Sequence, residues 1–136
     1  MPERAPSTLF SMTTRAMSAQ MVRMNAATSN LANAGSVSTT DEGAYRPIRA
    51  VFATELDRAS GLTGVTTSGL VRAETAPTRR HDPSHPLADK DGYVFEAPVD
   101  ETAEMVEIMD ASRQYQNLVQ ALQTAKQLML ETLRSQ

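Results

Sequence analysis

Within twelve consecutive positions of this 136-residue chain stand both of its histidines, one serine and three aspartates: His81-Asp82-Pro83-Ser84-His85-Pro86, then Asp89 and Asp91-Gly92. Two imidazoles four residues apart can share a metal ion when both lie on one face of a helix. Pro83 and Pro86 oppose a helix there, because neither can donate a backbone hydrogen bond and each clashes with the preceding turn. Asp89-Lys90-Asp91-Gly92 has the opening of a calcium loop, but it lacks a third oxygen ligand before the glycine and the glutamate that closes such a loop. Ser84 between two histidines suggests a hydrolase, yet adjacency in a Pro-rich turn supplies neither an oriented base nor an oxyanion hole. There is no nucleophile elbow and no phosphate-cradling glycine loop. The segment therefore reads as a structural turn built by Asp82, Pro83, His85, Pro86, Asp91 and Gly92, and no catalytic residue, metal site or cofactor is expected.

Composition narrows the remaining classes. The net charge of −3 comes without any cluster of Lys and Arg, so a nucleic-acid surface is not expected. Cysteine is absent, which excludes disulfides and thiolate chemistry. The first twenty residues hold no apolar core segment, and no run is long enough to span a bilayer, so neither a conventional cleaved signal peptide nor membrane insertion is expected.

The elements that flank the turn are clearer. From Asp100 to Arg134 an apolar stripe including Met105, Ile108, Ala111, Tyr115, Leu118, Leu122, Ala125, Met129 and Leu133 recurs at steps of three and four, with no Gly or Pro. At ~1.5 Å per residue that helix is about 50 Å long, more than a domain of this size is wide. Near the start, Phe10, Met17, Met24 and Leu31 stand at seven-residue steps, flanked by thin alanines, with Asn25, Asn30 and Asn33 crowding the second half. Arg15 and Arg23 are the only charges between residues 5 and 33, while the last helix opens with Asp100, Glu101, Glu104, Glu107 and Asp110. An antiparallel pairing of the two helices places Arg23 near that acidic end.

The expected fold is mainly α: a long antiparallel hairpin of the N- and C-terminal helices with a small β and loop excursion between them. The expected organisation is a flexible N-terminus over 1–6, an N-terminal helix over 7–34, an insert over 35–99 and a C-terminal helix over 100–134. Short strands are expected at 46–53, 65–74 and 92–96, where β-branched and aromatic residues gather between Gly and Pro. The C-terminal helix also carries Val106, Met109, Leu128 and Leu130 off its main stripe, more apolar surface than one partner covers, which points to packing between subunits. A helical adaptor or chaperone-like module that holds a partner helix is the alternative, although such a module has no need of a long Pro- and Gly-punctuated insert.

Three segments together resemble the rod and hook axial proteins of the bacterial flagellum, and most closely their proximal-rod branch. The first is Ala27-Thr28-Ser29-Asn30-Leu31-Ala32-Asn33, followed by Tyr45-Arg46 and Phe52. The second is Asp82-Pro83-Ser84-His85-Pro86, continued through Asp91-Gly92-Tyr93. The third runs through Glu104-Met105-Val106, Ala111-Ser112-Arg113, Tyr115, Lys126 and Met129. The resemblance implies a non-catalytic subunit that polymerises with itself and other rod proteins into a periplasmic drive shaft. It also implies delivery by the flagellar type III export apparatus. Phe10, Met17, Met24, Asn30, Leu31, Asn33, Tyr45, Met105, Ile108, Tyr115, Leu122, Met129 and Leu133 are the residues expected to form its assembly interface.

Overall fold

The computed structural model describes the backbone from residue 4 and side chains from residue 8 to the C-terminus; residues 1–3 of the expected flexible N-terminus lie outside the described residues. In chain order the elements are α1 (Arg4–Ala32), β1 (Val37–Ser38), β2 (Ile48–Asp57), β3 (Leu62–Arg72), β4 (Thr78–His81), β5 (Tyr93–Glu96) and α2 (Glu101–Arg134). The helices run antiparallel, as the cross-links of residue 30 to 104 and of residue 23 to 107 and 110 require. α2 begins cleanly because the Asp100 carboxylate accepts from the Ala103 N–H at 3.2 Å and Glu101 and Glu104 occupy its electropositive first turn.

The expectation of a mainly α fold is overturned. Five strands in two antiparallel sheets make up 24% of the chain against 46% helix, so the fold is mixed α and β. One sheet has the order β1-β5-β4, and the other is the β2–β3 hairpin. The strands of that hairpin are ten and eleven residues long, against expected segments of eight (46–53) and ten (65–74), and both extend further towards the turn that joins them. The turn-side half was missed because Leu62-Thr63-Gly64-Val65-Thr66-Thr67-Ser68-Gly69 has two glycines, three threonines and few apolar side chains. A two-stranded ribbon of that kind is marginal alone, and it is supported by α1. Met12 fills the space beside Gly64, 3.4 Å from where a Cβ would lie, and Arg15 reaches Glu55 at 2.7 Å. β1 and β4 were not expected because they are two and four residues long, and β4 is wholly exposed.

Large side chains do not make the core. The buried apolar residues are Val94 and alanines, among them Ala19, Ala26 and Ala27 of α1 and Ala111 and Ala125 of α2. On α2, Glu104, Ile108, Ala111, Tyr115, Leu118, Leu122, Ala125 and Met129 alternate four- and three-residue steps and are all buried or half-buried. Alanines at the contact let the two helix axes approach closely, so dispersion contacts between backbones replace the bulk of leucines.

The Pro-rich segment forms the turn joining β4 to β5. Gly92 has φ +83°, and a Cβ there would meet Pro83 Cγ at 3.1 Å and His81 Nε2 at 3.2 Å. Only glycine fits both constraints. We predict that Gly92→Ala lowers stability by about 1–2 kcal/mol, read as a fall in the midpoint of thermal unfolding by circular dichroism; an unchanged midpoint contradicts this account of the turn.

Candidate assembly surface and its internal clamp

Asp82, Ser84, His85 and Asp89 of the turn that resembled a site are occupied locally. The Leu87 N–H donates to His85 Nδ1 at 3.0 Å, and Ser84 Oγ donates to Asp82 Oδ1 at 3.0 Å. Asp89 Oδ1 accepts from the Asp91 and Tyr93 N–H groups at 2.9 and 2.8 Å. His81 lies edge-on to Tyr93, with ring centroids 4.8 Å apart, and the Arg79 guanidinium covers the same tyrosine ring at 3.8 Å. Among the described residues no group of three or more metal-ligating side chains converges. Of the turn residues, Gly92 is buried, Asp82 and His85 are half-buried, and Pro83, Pro86 and Asp91 are exposed.

The dense polar chemistry lies where α1, α2 and β2 meet. Asn30 is 0% and Glu104 1% exposed. The Asn30 amide meets both backbone groups of Ile48: its Oδ1 accepts from the Ile48 N–H at 2.7 Å and its Nδ2 donates to the Ile48 carbonyl at 2.9 Å. That is the pattern a neighbouring β-strand would present, so the side chain substitutes for one at the first residue of β2. The Tyr45 hydroxyl also donates to Oδ1 at 2.8 Å, and Nδ2 reaches Glu104 Oε2 at 3.2 Å. The Glu104 carboxylate is held bidentately by Arg49 of β2, with distances of 3.1 and 2.5 Å. Its hydrogen bond to Glu104 raises the Arg49 pKa above its ordinary value.

One to two turns away, Arg23 donates to Glu107 and, at 2.7 Å, to Asp110. The sequence reading placed Arg23 at that acidic end, and it stands there. The hydrogen bond from Arg23 holds the Glu107 carboxyl below its usual value, while the same contact raises Arg23. Asn33, the other signature asparagine, instead donates to the Ser29 carbonyl at 2.8 Å within the end of its own helix.

The remaining candidate residues divide by exposure. Ile108, Tyr115, Leu122 and Met129 lie half-buried on the α2 seam. Met105 and Leu133 are exposed, as are their neighbours Val106, Met109, Leu128 and Leu130. On α1, Phe10 is exposed and Met17, Met24 and Leu31 are half-buried, whereas the buried positions of that helix among the described side chains are Thr13, Ala19, Ala26, Ala27 and Asn30. The seven-residue seam of large side chains is therefore not the most deeply buried face of α1. Glu104 and Arg49 were missed as a pair. The available signal was a carboxylate at the head of the α2 heptad seam, where only a matched donor makes burial tolerable.

The C-terminal helix thus leaves large apolar side chains uncovered and is tied by a buried asparagine to a partner helix and a β-hairpin. Residues 90–135 match the family described as "Flagellar basal body rod FlgEFG protein C-terminal". Along nearly the whole length the chain is similar to the flagellar basal-body rod proteins FlgC. It is 38% identical to that of Salmonella typhimurium over 125 residues, covering 92% of this chain and 93% of the relative. The figures are 39% for Escherichia coli O157:H7 and 41% over 126 residues for Yersinia enterocolitica, with the same coverage. The chain belongs to the FlgC family of flagellar basal-body rod proteins. It is a structural subunit located in the basal-body rod, and the adaptor alternative falls away.

Two outcomes follow for the clamp. Asn30→Leu strips Ile48, Tyr45 and Glu104 of partners at once, and we predict a loss of about 3 kcal/mol or more, measured by urea unfolding; a loss below about 1 kcal/mol contradicts the clamp. The lowered Glu107 pKa means that its contribution to stability is present above the unfolded-state value and vanishes as pH falls through the folded one. Because both partners are partly solvated, that contribution is about 1 kcal/mol or less. Arg23→Gln should move the Glu107 titration upward in carbon-detected NMR, and an unmoved titration rejects the pairing.

Proposed function

We propose that this rod subunit polymerises through its terminal helices, with copies of itself and with other rod proteins, into the tube that crosses the periplasm and transmits torque. The supporting observation is the apolar surface that the hairpin of helices leaves uncovered. Val106 is 59% and Met109 68% exposed near the start of α2, and Leu133 63% near its end, on a helix whose only buried residues are Glu104, Ala111 and Ala125. Exposed large apolar side chains on an acidic chain are costly in water and are relieved by neighbours. A structural role fits the polar groups of the turn and the clamp, most of which hold the fold. No described helix is long and apolar enough to cross a membrane.

Delivery by the flagellar type III export apparatus fits the same physics. A chain whose core is made of alanines and hydrogen bonds needs little energy to open for passage, and recovers its order on assembly. Torque resistance then comes from sharing each seam among several subunits, since closely packed interfaces deform little.

The test uses exposed positions, where a charge leaves the monomer intact. Burying an unpaired carboxylate costs several kcal/mol. Val106→Asp and Met109→Asp should therefore reduce rod assembly by more than about tenfold and abolish swimming in soft agar, while the helix content of the purified chain stays unchanged. Normal swimming of both variants overturns assembly through α2.

A further inference from the structure

The two edges of the β2–β3 ribbon are unlike. Along β2 the residues bonded to β3 alternate from Pro47, whose carbonyl accepts from the Ala73 N–H at 2.8 Å, so Ile48 turns its backbone groups outward. Asn30 of α1 takes both of them. β3 is irregular: Val51 pairs with Gly69 and Phe52 with Thr67, which leaves Ser68 as an extra residue. Continuing the alternation along the regular strand β2 shows that Thr63, Val65 and Leu70 direct their backbone groups away from it. Among the described residues no third strand lies on that edge, and no backbone group between Thr63 and Val71 is hydrogen-bonded to a residue outside β2. Residues 62–71 hold no charge and no proline, and Thr63, Val65, Ser68, Gly69, Leu70 and Val71 are exposed. An uncharged edge of this length is a template for another strand.

We propose that β3 pairs antiparallel with β3 of a second copy, about a two-fold axis between Thr67 and Ser68, joining two ribbons into one sheet of order β2-β3-β3-β2. Register and charge both select a second copy. Opposing Val65 with Leu70 of the second copy, and Thr63 with its Arg72, brings outward backbone groups together on both sides of the bulge. The match is one residue for one, because both strands carry the same extra residue, whereas a regular strand such as β2 is opposed two to one there. Arg58 in the tip loop and Glu74 just beyond β3 are exposed and enter no ion pair among the described residues. The same register carries Glu74 of each copy alongside Gly61 of the other, next to the loop that holds Arg58, so opposite charges meet at both ends of the contact. The remaining edge strands, β1 and β4, are two and four residues long and cannot cover it. A contact between identical edges closes on itself, so it makes a dimer of the unassembled chain and is independent of the growth of the rod.

Sedimentation velocity on the purified full-length chain should show a species of twice the chain's mass that gains on the monomer between about 1 and 100 μM; monomer throughout overturns the pairing. The chain has no cysteine, so a single nitroxide can be attached to each copy at Leu70→Cys or at Ala59→Cys and the distance between copies read by pulsed electron paramagnetic resonance. At ~3.4 Å per residue the pairing puts the Leu70 labels about 20 Å apart and the Ala59 labels beyond about 45 Å. A dimer whose Ala59 labels are the closer pair, or whose two distances are alike, is joined through another surface and overturns the proposal. Arg58→Glu should raise the dimer Kd about tenfold, and adding Glu74→Arg should restore it. An unmoved Kd, or a double variant no tighter than the single one, overturns the register.

Discussion

One side-chain amide holds three elements in register. Asn30 stands at the end of α1, presents to Ile48 the donor and acceptor that a neighbouring strand would present, and reaches across to Glu104 of α2. Remove that group and the hairpin loses its anchor, the carboxylate of α2 loses a donor, and the Tyr45 hydroxyl loses its acceptor. Glu104 closes the same junction from the side of α2, through Asn30 and Arg49. The clamp works because it is complete: among the described residues that are not exposed, no buried side-chain nitrogen or oxygen is left without a partner. A fully paired network specifies a single arrangement, whereas a half-paired one would be worse than an apolar core.

That network explains how a chain with 4% aromatic residues and a core of alanines keeps a defined shape. Hydrophobic burial per residue is small when the buried side chain is a methyl group, so directional bonds must supply the specificity that bulky packing supplies elsewhere. The helix pair contributes length and close approach, and the clamp contributes the angle of the hairpin. Large apolar residues are then free to lie outside, where neighbours can use them.

Much of this was legible in the residues, and the failures have physical causes. The two helices were legible because their apolar steps run long and uninterrupted, and the pairing of Arg23 with the acidic start of α2 followed from charge alone. The β-hairpin was read as a minor excursion because Thr63, Gly64, Thr66, Thr67, Ser68 and Gly69 make a strand that depends on α1 for support and shows little apolar alternation of its own. β4 was invisible since Thr78-Arg79-Arg80-His81 buries nothing. The seven-residue methionine seam drew attention away from the alanines, although the alanines take the buried face. A signature asparagine was noticed by resemblance, but its bonds to a backbone eighteen residues away are a tertiary fact that no local pattern encodes.

The antiparallel pairing of α1 with α2 also sets an order of events in folding. Residues 30 and 104 are 74 positions apart along the chain, and that is the near end of the helix pair; the far end joins residues still more distant. Closing such loops carries an entropy cost that grows with their length, whereas the β4–β5 turn and the β2–β3 ribbon close over short spans. The local sheets therefore set early and the helix pair zips last, from the clamp outward to the termini. Opening proceeds in reverse, so the end of the helix pair farthest from Asn30 and Glu104 is the first part to come free and the last to be secured.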